Sequence, residues 1–229
     1  MWARSLRLLC DALTSAVTVV EHNGHLLHQE DQDVSEEIEC LFNDEGIDLS
    51  LNSRVTQVDG LSGDHAKVVV NRDGRTEEIE GTHILVAAGR RPNTEELGLE
   101  QAGVETTHDG YIRVNEKLET TASGIWAVGD VAGSPKFTHV GKDDYRVFRA
   151  QVLGGGRVTT DRLVPYCLFL EPELAKVGID EREATSRGLE YRLFKIPVSA
   201  VLRAQAIVEG STSSSKASGA TGHAMCMRL

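Results

Sequence analysis

Apolar and polar positions change period several times along the chain, and each change predicts an element. Between Asp33 and Gly46 the apolar residues Val34, Ile38, Leu41 and Phe42 recur at helical spacing. Asp33 or Ser35 can cap the start of this helix, and Gly46 stands just past its end. Before it, Ala16–Val20 is a β-branched run that closes at Glu21, and after it Ile47–Leu51 alternates, so the helix reads as an amphipathic crossover between strands. Alternation continues through Arg54–Val58, Ala66–Val70 and Thr76–Ile79, with Asp73-Gly74 supplying a hairpin turn between the last two. His83–Ala88 and Ile125–Val128 are short apolar runs, and the second fits a strand buried on both faces.

Further along, Glu95–Gly103 reads as a short helix and turn, and Phe137–Leu153 as a long helix with Asp143 and Asp144 on a solvated face. Gly154-Gly155-Gly156 stops that helix as a flexible joint. Cys167–Leu170 and Tyr191–Val198 predict strands, Leu174–Val177 apolar filling, and Asp180–Arg187 a capped helix. Met1–Ser15 fits no template, and the Gly/Ser/Ala tract after Glu209 has no period and predicts disorder.

Composition narrows the class. At 229 residues, 40% hydrophobic and 26% charged, the chain can bury a sizeable core in one large or two small domains. A net charge of −11 without a basic block disfavours nucleic acid or an anionic membrane as partner. No apolar run approaches the ~18 residues of a membrane span, and the first twenty residues lack a signal-peptide cleavage pattern, so a cytoplasmic setting is expected. Cys10, Cys40, Cys167 and Cys226 are too scattered to form a C-x-x-C or C-x4-C pair, which predicts reduced, mostly buried thiols and no metal site.

Candidate chemistry concentrates at Gly129-Asp130, where the Ile125–Val128 run halts. A glycine there permits close approach of a ligand, and a carboxylate accepts hydrogen bonds from sugar-like hydroxyls. The helix that follows aims unpaired N–H groups and partial positive charge at the same place, which suits a ligand that gains negative charge.

Three stretches, in order, resemble the pyridine nucleotide-disulfide oxidoreductases, the family of dihydrolipoamide dehydrogenase, glutathione reductase and mercuric reductase. Thr120–Gly133, T-T-A-S-G-I-W-A-V-G-D-V-A-G, is similar to the family's second flavin-binding motif. Ile84–Asn93, I-L-V-A-A-G-R-R-P-N, resembles the place where the chain leaves the nicotinamide domain. Val164–Gly178, V-P-Y-C-L-F-L-E-P-E-L-A-K-V-G, resembles the opening of the interface domain. The likeness spans roughly residues 17–209 and is closest to mercuric-reductase-like members.

The resemblance implies an α/β fold: partial doubly wound, Rossmann-like nucleotide-binding sheets followed by the start of an α+β interface domain. Residues 1–90 would be the carboxyl-terminal part of an NAD-binding domain, 91–157 a returning segment of an FAD-binding domain, 158–209 the beginning of a dimerisation domain, and 210–229 a disordered or aberrant tail. It also implies a homodimer and the cofactors FAD and NAD(P)H. Asp130 would bind the ribityl chain of FAD, Gly129 would make room for it, and backbone near Thr138 would contact the flavin ring. Gly89 would lie against the nicotinamide dinucleotide, while Arg90 and Arg91 read as a solvated turn. Val55 is either beside the adenine or a plain core valine. Glu21 is either a solvated turn residue or the acid that binds the adenosine ribose, which would favour NADH over NADPH. His139 reads as packing or hydrogen bonding.

The same resemblance shows what these 229 residues do not contain. The glycine-rich phosphate loop belongs about 20 residues before Glu21, at or before Met1, and no C-x4-C dithiol is present. His223 lacks the neighbouring glutamate of the family's acid–base pair, and Cys226 stands alone. The implied reaction passes a hydride from NAD(P)H through flavin to a disulfide or related acceptor. This chain is expected to keep one wall of the flavin site and part of the nicotinamide site, to carry no catalytic residue, and not to be a competent enzyme alone. It reads as a piece of a longer gene with reading-frame changes near residues 16 and 209; the alternative is a non-catalytic dimerisation fragment without cofactor.

Overall fold

The structure, a computed structural model, describes residues 15–170, 174–197 and 223–228. Its elements in chain order are β1 (Thr18–Val20), α1 (Gln32–Asp44), β2 (Asp48–Ser50), β3 (Ser53–Gly60), β4 (Ala66–Arg72), β5 (Arg75–Gly81), α2 (Thr138–Val152), β6 (Tyr166–Leu168), β7 (Leu174–Lys176), α3 (Glu181–Ser186), β8 (Arg192–Pro197) and β9 (His223–Arg228). Short 3₁₀ turns cover Gly129–Ala132 and Thr159–Asp161. The chain divides into two compact units. The first takes the described residues up to Leu85 with Cys167–Leu174 and those from Ile179 on, and the second takes Val86–Tyr166 with Ala175–Gly178.

In the first unit β1 and β2 pair in parallel, Thr18 opposite Asp48 and Val20 opposite Ser50, with α1 as the crossover that parallel pairing requires. Ile38 and Phe42 of α1 pack with Leu26, Ile47 and Leu170, and Val19, Leu49 and Leu168 close around them. The helix ends in a Schellman motif: Ile47 N–H donates to Phe42 C=O at 2.9 Å and Gly46 N–H to Asn43 C=O at 3.0 Å, with Gly46 at φ +74°. Its start differs from expectation, because Asp31 is the N-cap residue and its side chain does not cap α1. Instead the buried Asp31 carboxylate accepts the N–H groups of Glu181 and Arg182, 3.1 Å each, at the start of α3. The expected cap of α3 is present, with Asp180 accepting from Glu183 N–H at 2.7 Å.

Strands β3, β4 and β5 form an antiparallel meander, as the alternation predicts. Asp73 and Gly74 both have positive φ, 51° and 79°, the geometry of a two-residue type I′ hairpin. Arg72 joins the meander to β2 by donating to Leu51 C=O and Ser53 Oγ, both at 3.2 Å, and to Ser50 Oγ at 3.3 Å. β8 pairs antiparallel with β9, Arg192 opposite Arg228. The expected disordered tail therefore does not extend over His223–Arg228; a partner strand satisfies backbone groups that the low-complexity composition left unassigned. Residues 1–14, with Cys10, and 210–222 lie outside the described residues, as do the side chains of His223 and Cys226.

The second unit holds less regular structure than the sequence predicts. Its core is Val104, Ile112 and Ala127, with Leu99, Val114 and Val131 packed on them. Ile125–Val128 is held by one isolated bridge, Trp126 to Glu119, and Ile125 and Val128 are 39% and 41% exposed, so it is not a strand buried on both faces. His83–Ala88 likewise forms no strand, and Val86 is 77% exposed. A buried parallel strand exists through neighbours that bond it on both edges, and none of the described residues supplies them here. Glu95–Gly103 is a series of turns and not a helix, with Gly98 and Gly103 at φ 64° and 71°. Gly154–Gly156 is not a loose joint: Gly155 N–H donates to Ala150 C=O at 2.6 Å, Gln151 Nε2 to Arg157 C=O at 2.6 Å, and Arg157 to Asp143 Oδ1 at 2.6 Å.

Cys40 and Cys167 are free thiols, but Cys40 is exposed on α1, because position 40 faces away from the Ile38–Phe42 stripe. No helix among the described residues is long and apolar enough to cross a membrane.

One ion pair in the first unit gives a pH-dependent test. The hydrogen bond to Asp33, then that to Glu181, holds the Lys195 ammonium above the usual lysine range. Burial pushes Asp33 upward, but the hydrogen bond and charge of Lys195 outweigh it and leave the carboxyl below its usual 3.8. The depressed Asp33 contributes stability above its ordinary pKa and loses it as pH falls; the raised Lys195 contributes below its ordinary 10.5 and loses it as pH rises. Lys195→Met is expected to lower stability by roughly 0.5 kcal/mol at neutral pH, since both partners are partly exposed. In urea titrations the difference from wild type should shrink as pH falls below the ordinary Asp33 value of 3.8 and through its lowered folded value.

Candidate flavin-side turn

The site grows from a glycine in the left-handed region, which residues with side chains adopt only rarely. Ala127 is buried and donates its N–H to Leu118 C=O at 3.1 Å, Val128 is extended, and Gly129 then turns the chain at φ +77°. A Cβ added at Gly129 would meet no atom within 4 Å, so the glycine opens space on one side of the turn. Its N–H donates to Asp144 Oδ2 at 2.7 Å.

Asp144 corrects the expectation of a solvated helix face. It is fully buried on α2 between Val140 and Val147, which are also buried. The spacing 140, 144, 147 places it on the apolar stripe, a signal the sequence carried. A buried carboxylate needs a charge partner and hydrogen bonds. Arg162, only 10% exposed, pairs with Asp144 Oδ1 and stands 3.7 Å from Asp143 Oδ2, so both carboxylate oxygens of Asp144 are engaged. Trp126 packs against α2 in an edge-to-face contact with Phe148, centroids 5.6 Å apart.

Asp130 follows Gly129 at the start of the 3₁₀ turn, with its side chain half exposed. Its Oδ2 accepts from Arg90 Nη1 at 2.9 Å. Arg90 is thus not a free turn residue: it brings together two motifs 40 residues apart. Each charged residue directly follows a left-handed glycine, Gly89 at φ +99° and Gly129 at φ +77°, and a Cβ on either would meet no atom within 4 Å. Tyr111 Oη approaches Arg90 C=O at 3.5 Å, and Lys136 lies 5.3 Å from the Tyr111 ring. Thr138 opens the 15-residue α2, where Phe137 is an N-cap without a side-chain bond; Val140 N–H donates to Phe137 C=O at 3.0 Å, and the N–H groups of Thr138 and His139 have no side-chain cap. His139 stacks on Phe137 at 5.4 Å, and Phe137 on Tyr166 at 5.4 Å, in keeping with a packing role for the histidine.

The expected cofactor residues fall in different units. Gly89, Gly129, Asp130 and Thr138 belong to the second; Glu21 and Val55 belong to the first. Glu21 closes β1, and its Oε1 accepts Asn23 N–H at 2.9 Å and Asn23 Nδ2 at 2.7 Å and pairs with His22 at 2.9 Å. The turn role is therefore visible, and one oxygen is committed to it. Val55, opposite Val70, is about half exposed and is not a core valine.

The parallel β–α–β unit, β1–α1–β2, marks an α/β protein of Rossmann-like type. The chain belongs to the pyridine nucleotide-disulphide oxidoreductase family, whose sequence model matches residues 5–144, and the family's dimerisation domain matches residues 164–215. It is 36% identical over 193 residues to the probable pyridine nucleotide-disulfide oxidoreductase RclA of Escherichia coli, covering 83% of this chain and 43% of that protein. It is 37% identical over 197 residues to the mitochondrial dihydrolipoyl dehydrogenase of Pisum sativum, covering 84% and 39%. The solved HOCl-induced flavoprotein disulfide reductase RclA from Escherichia coli superposes with TM-score 0.75 at 33% identity, covering 93% of this chain and 46% of that one. The chain spans less than half the length of these relatives.

Removing the buried carboxylate tests the turn. Asp144→Ala strands Arg162 with its charge nearly buried and is expected to cost about 3–5 kcal/mol, read as a lowered urea midpoint. A loss below about 0.5 kcal/mol, the range of surface substitutions, would contradict the burial described.

Proposed function

We propose that this chain is part of an FAD-dependent oxidoreductase that passes a hydride from NAD(P)H through flavin to a disulfide or related acceptor, and that it supplies one wall of the flavin site. The observation that carries the reading is the Gly129-Asp130 turn: an acceptor carboxylate beside open space, anchored from behind by Asp144. The donor set fits a flavin dinucleotide. Asp130 can accept from polyol hydroxyls, and the uncapped N–H groups at Thr138 with the positive end of α2 favour electron density on a ring placed there. Bound FAD would supply the two-electron chemistry, and the protein would supply position and charge. The redox cysteine pair is not among these 229 residues, so none of them is assigned a catalytic step.

On the nicotinamide side, Gly89 would lie against the dinucleotide and Val55, open on β3, against its adenine. Glu21, with one oxygen not committed in the hydrogen bonds to Asn23, would bind the adenosine ribose, and its charge supports NADH over NADPH. A cytoplasmic setting belongs to the same proposal. We place the homodimer interface at the dimerisation-domain segment. Phe194 and Ile196, two apart on β8 and so on one face, are 59% and 50% exposed, which supports a partner surface there. The second reading, a dimerisation fragment without cofactor, rests on that same face.

Two measurements separate the readings. Titrating FAD into the purified chain should quench flavin fluorescence, and Asp130→Asn should weaken binding by about tenfold or more, as expected for a lost charged hydrogen bond. Unquenched FAD with a dimeric chain would instead favour the cofactor-free reading. Phe194→Glu should shift the wild-type dimer toward monomer in sedimentation analysis, and a wild-type monomer would overturn the interface assignment.

A further inference from the structure

We infer that Arg90 is a positioning residue for the flavin-side acid: by engaging Asp130 Oδ2 it fixes the carboxylate so that the remaining oxygen, Oδ1, meets the ligand's hydroxyls. This rests on the flavin reading above and extends it to a residue of the other motif.

The pair is poorly placed to serve stability. Both side chains are about half exposed, and such pairs contribute about 0–1 kcal/mol. Its geometry is nonetheless tightly specified. Arg90 and Asp130 each follow a glycine in the left-handed region, and the guanidinium and carboxylate meet at 2.9 Å. Gly129 is itself held by buried Asp144, so the Asp130 end of the pair has a fixed base. Arg90 Nη1 donates to Asp130 Oδ2, a monodentate bond that leaves acceptor capacity on Oδ1. A charge-assisted bond to one oxygen restricts rotation of an otherwise mobile, half-exposed carboxylate. It also offsets the charge of Asp130 beside a ligand that becomes anionic on reduction. Lysine could supply the charge, but its ammonium lacks the planar fork that sets direction.

The test is a double-mutant cycle read by FAD fluorescence quenching on the full chain, with Arg90→Gln, Asp130→Asn and the pair. Arg90→Gln should raise the dissociation constant about fivefold or more, Arg90→Lys should recover part of that loss, and Arg90→Gln added to Asp130→Asn should change binding by less than about twofold, because Arg90 then has no carboxylate to orient. Unchanged binding in Arg90→Gln overturns the inference, and tighter binding does so as well, since Arg90 would then compete with the ligand. Losses that multiply in the double variant overturn it too, by showing that Arg90 acts on its own. If Arg90→Gln fails while Asp130→Asn still weakens binding, only this inference falls. If the chain takes no FAD, or Asp130→Asn binds it as wild type does, the flavin reading falls and this one with it.

Discussion

The interaction on which the second unit depends is the buried Asp144 carboxylate, shared between the Gly129 N–H and Arg162. A carboxylate removed from water loses several kcal/mol of hydration, and it persists in an apolar stripe only where a cation and hydrogen bonds replace the water. Here the replacements come from two distant places in the sequence, a turn 15 residues before and a segment 18 residues after. One side chain therefore anchors the turn to α2 and ties down the stretch that follows the triple glycine. Such a pair adds little net stability over an apolar alternative, but breaking it leaves an uncompensated charge, which makes the geometry hard to abandon.

That anchor explains why a half-exposed acid can have a defined direction. Asp130 is next to a glycine whose dihedral no other residue adopts easily, and the glycine's only polar hydrogen is held by Asp144. Arg90 then approaches from the other motif. Beside both glycines the space is open: a Cβ on Gly89 or Gly129 would meet no atom within 4 Å.

Legibility in the sequence followed locality. The α1 stripe at Ile38 and Phe42, the Asp73-Gly74 hairpin and the Asp180 cap depend on residues a few positions apart, and each was readable. Ile125–Val128 and His83–Ala88 were misread because an apolar run becomes a buried strand only through partner strands on both edges, and the described residues do not supply them. Asp144 was misread for a different reason: an acid on a helix is usually solvated, and the adjacent Asp143 strengthened that impression. Its place between Val140 and Val147 was the available clue. Arg90 carried none, since its partner is 40 residues away and nothing in either motif alone requires the pairing. The strand at His223–Arg228 was hidden by the composition of the tract before it.

The central claim is that the Gly129 N–H is donated to a buried carboxylate that fixes the turn. Amide hydrogen exchange at Gly129 tests it most directly. The account predicts slow exchange, comparable to amides inside α2 such as that of Val147, although Gly129 only opens a short 3₁₀ turn and belongs to no α-helix or strand ladder. Exchange as fast as an exposed loop amide would show that the turn is not anchored and would contradict the account.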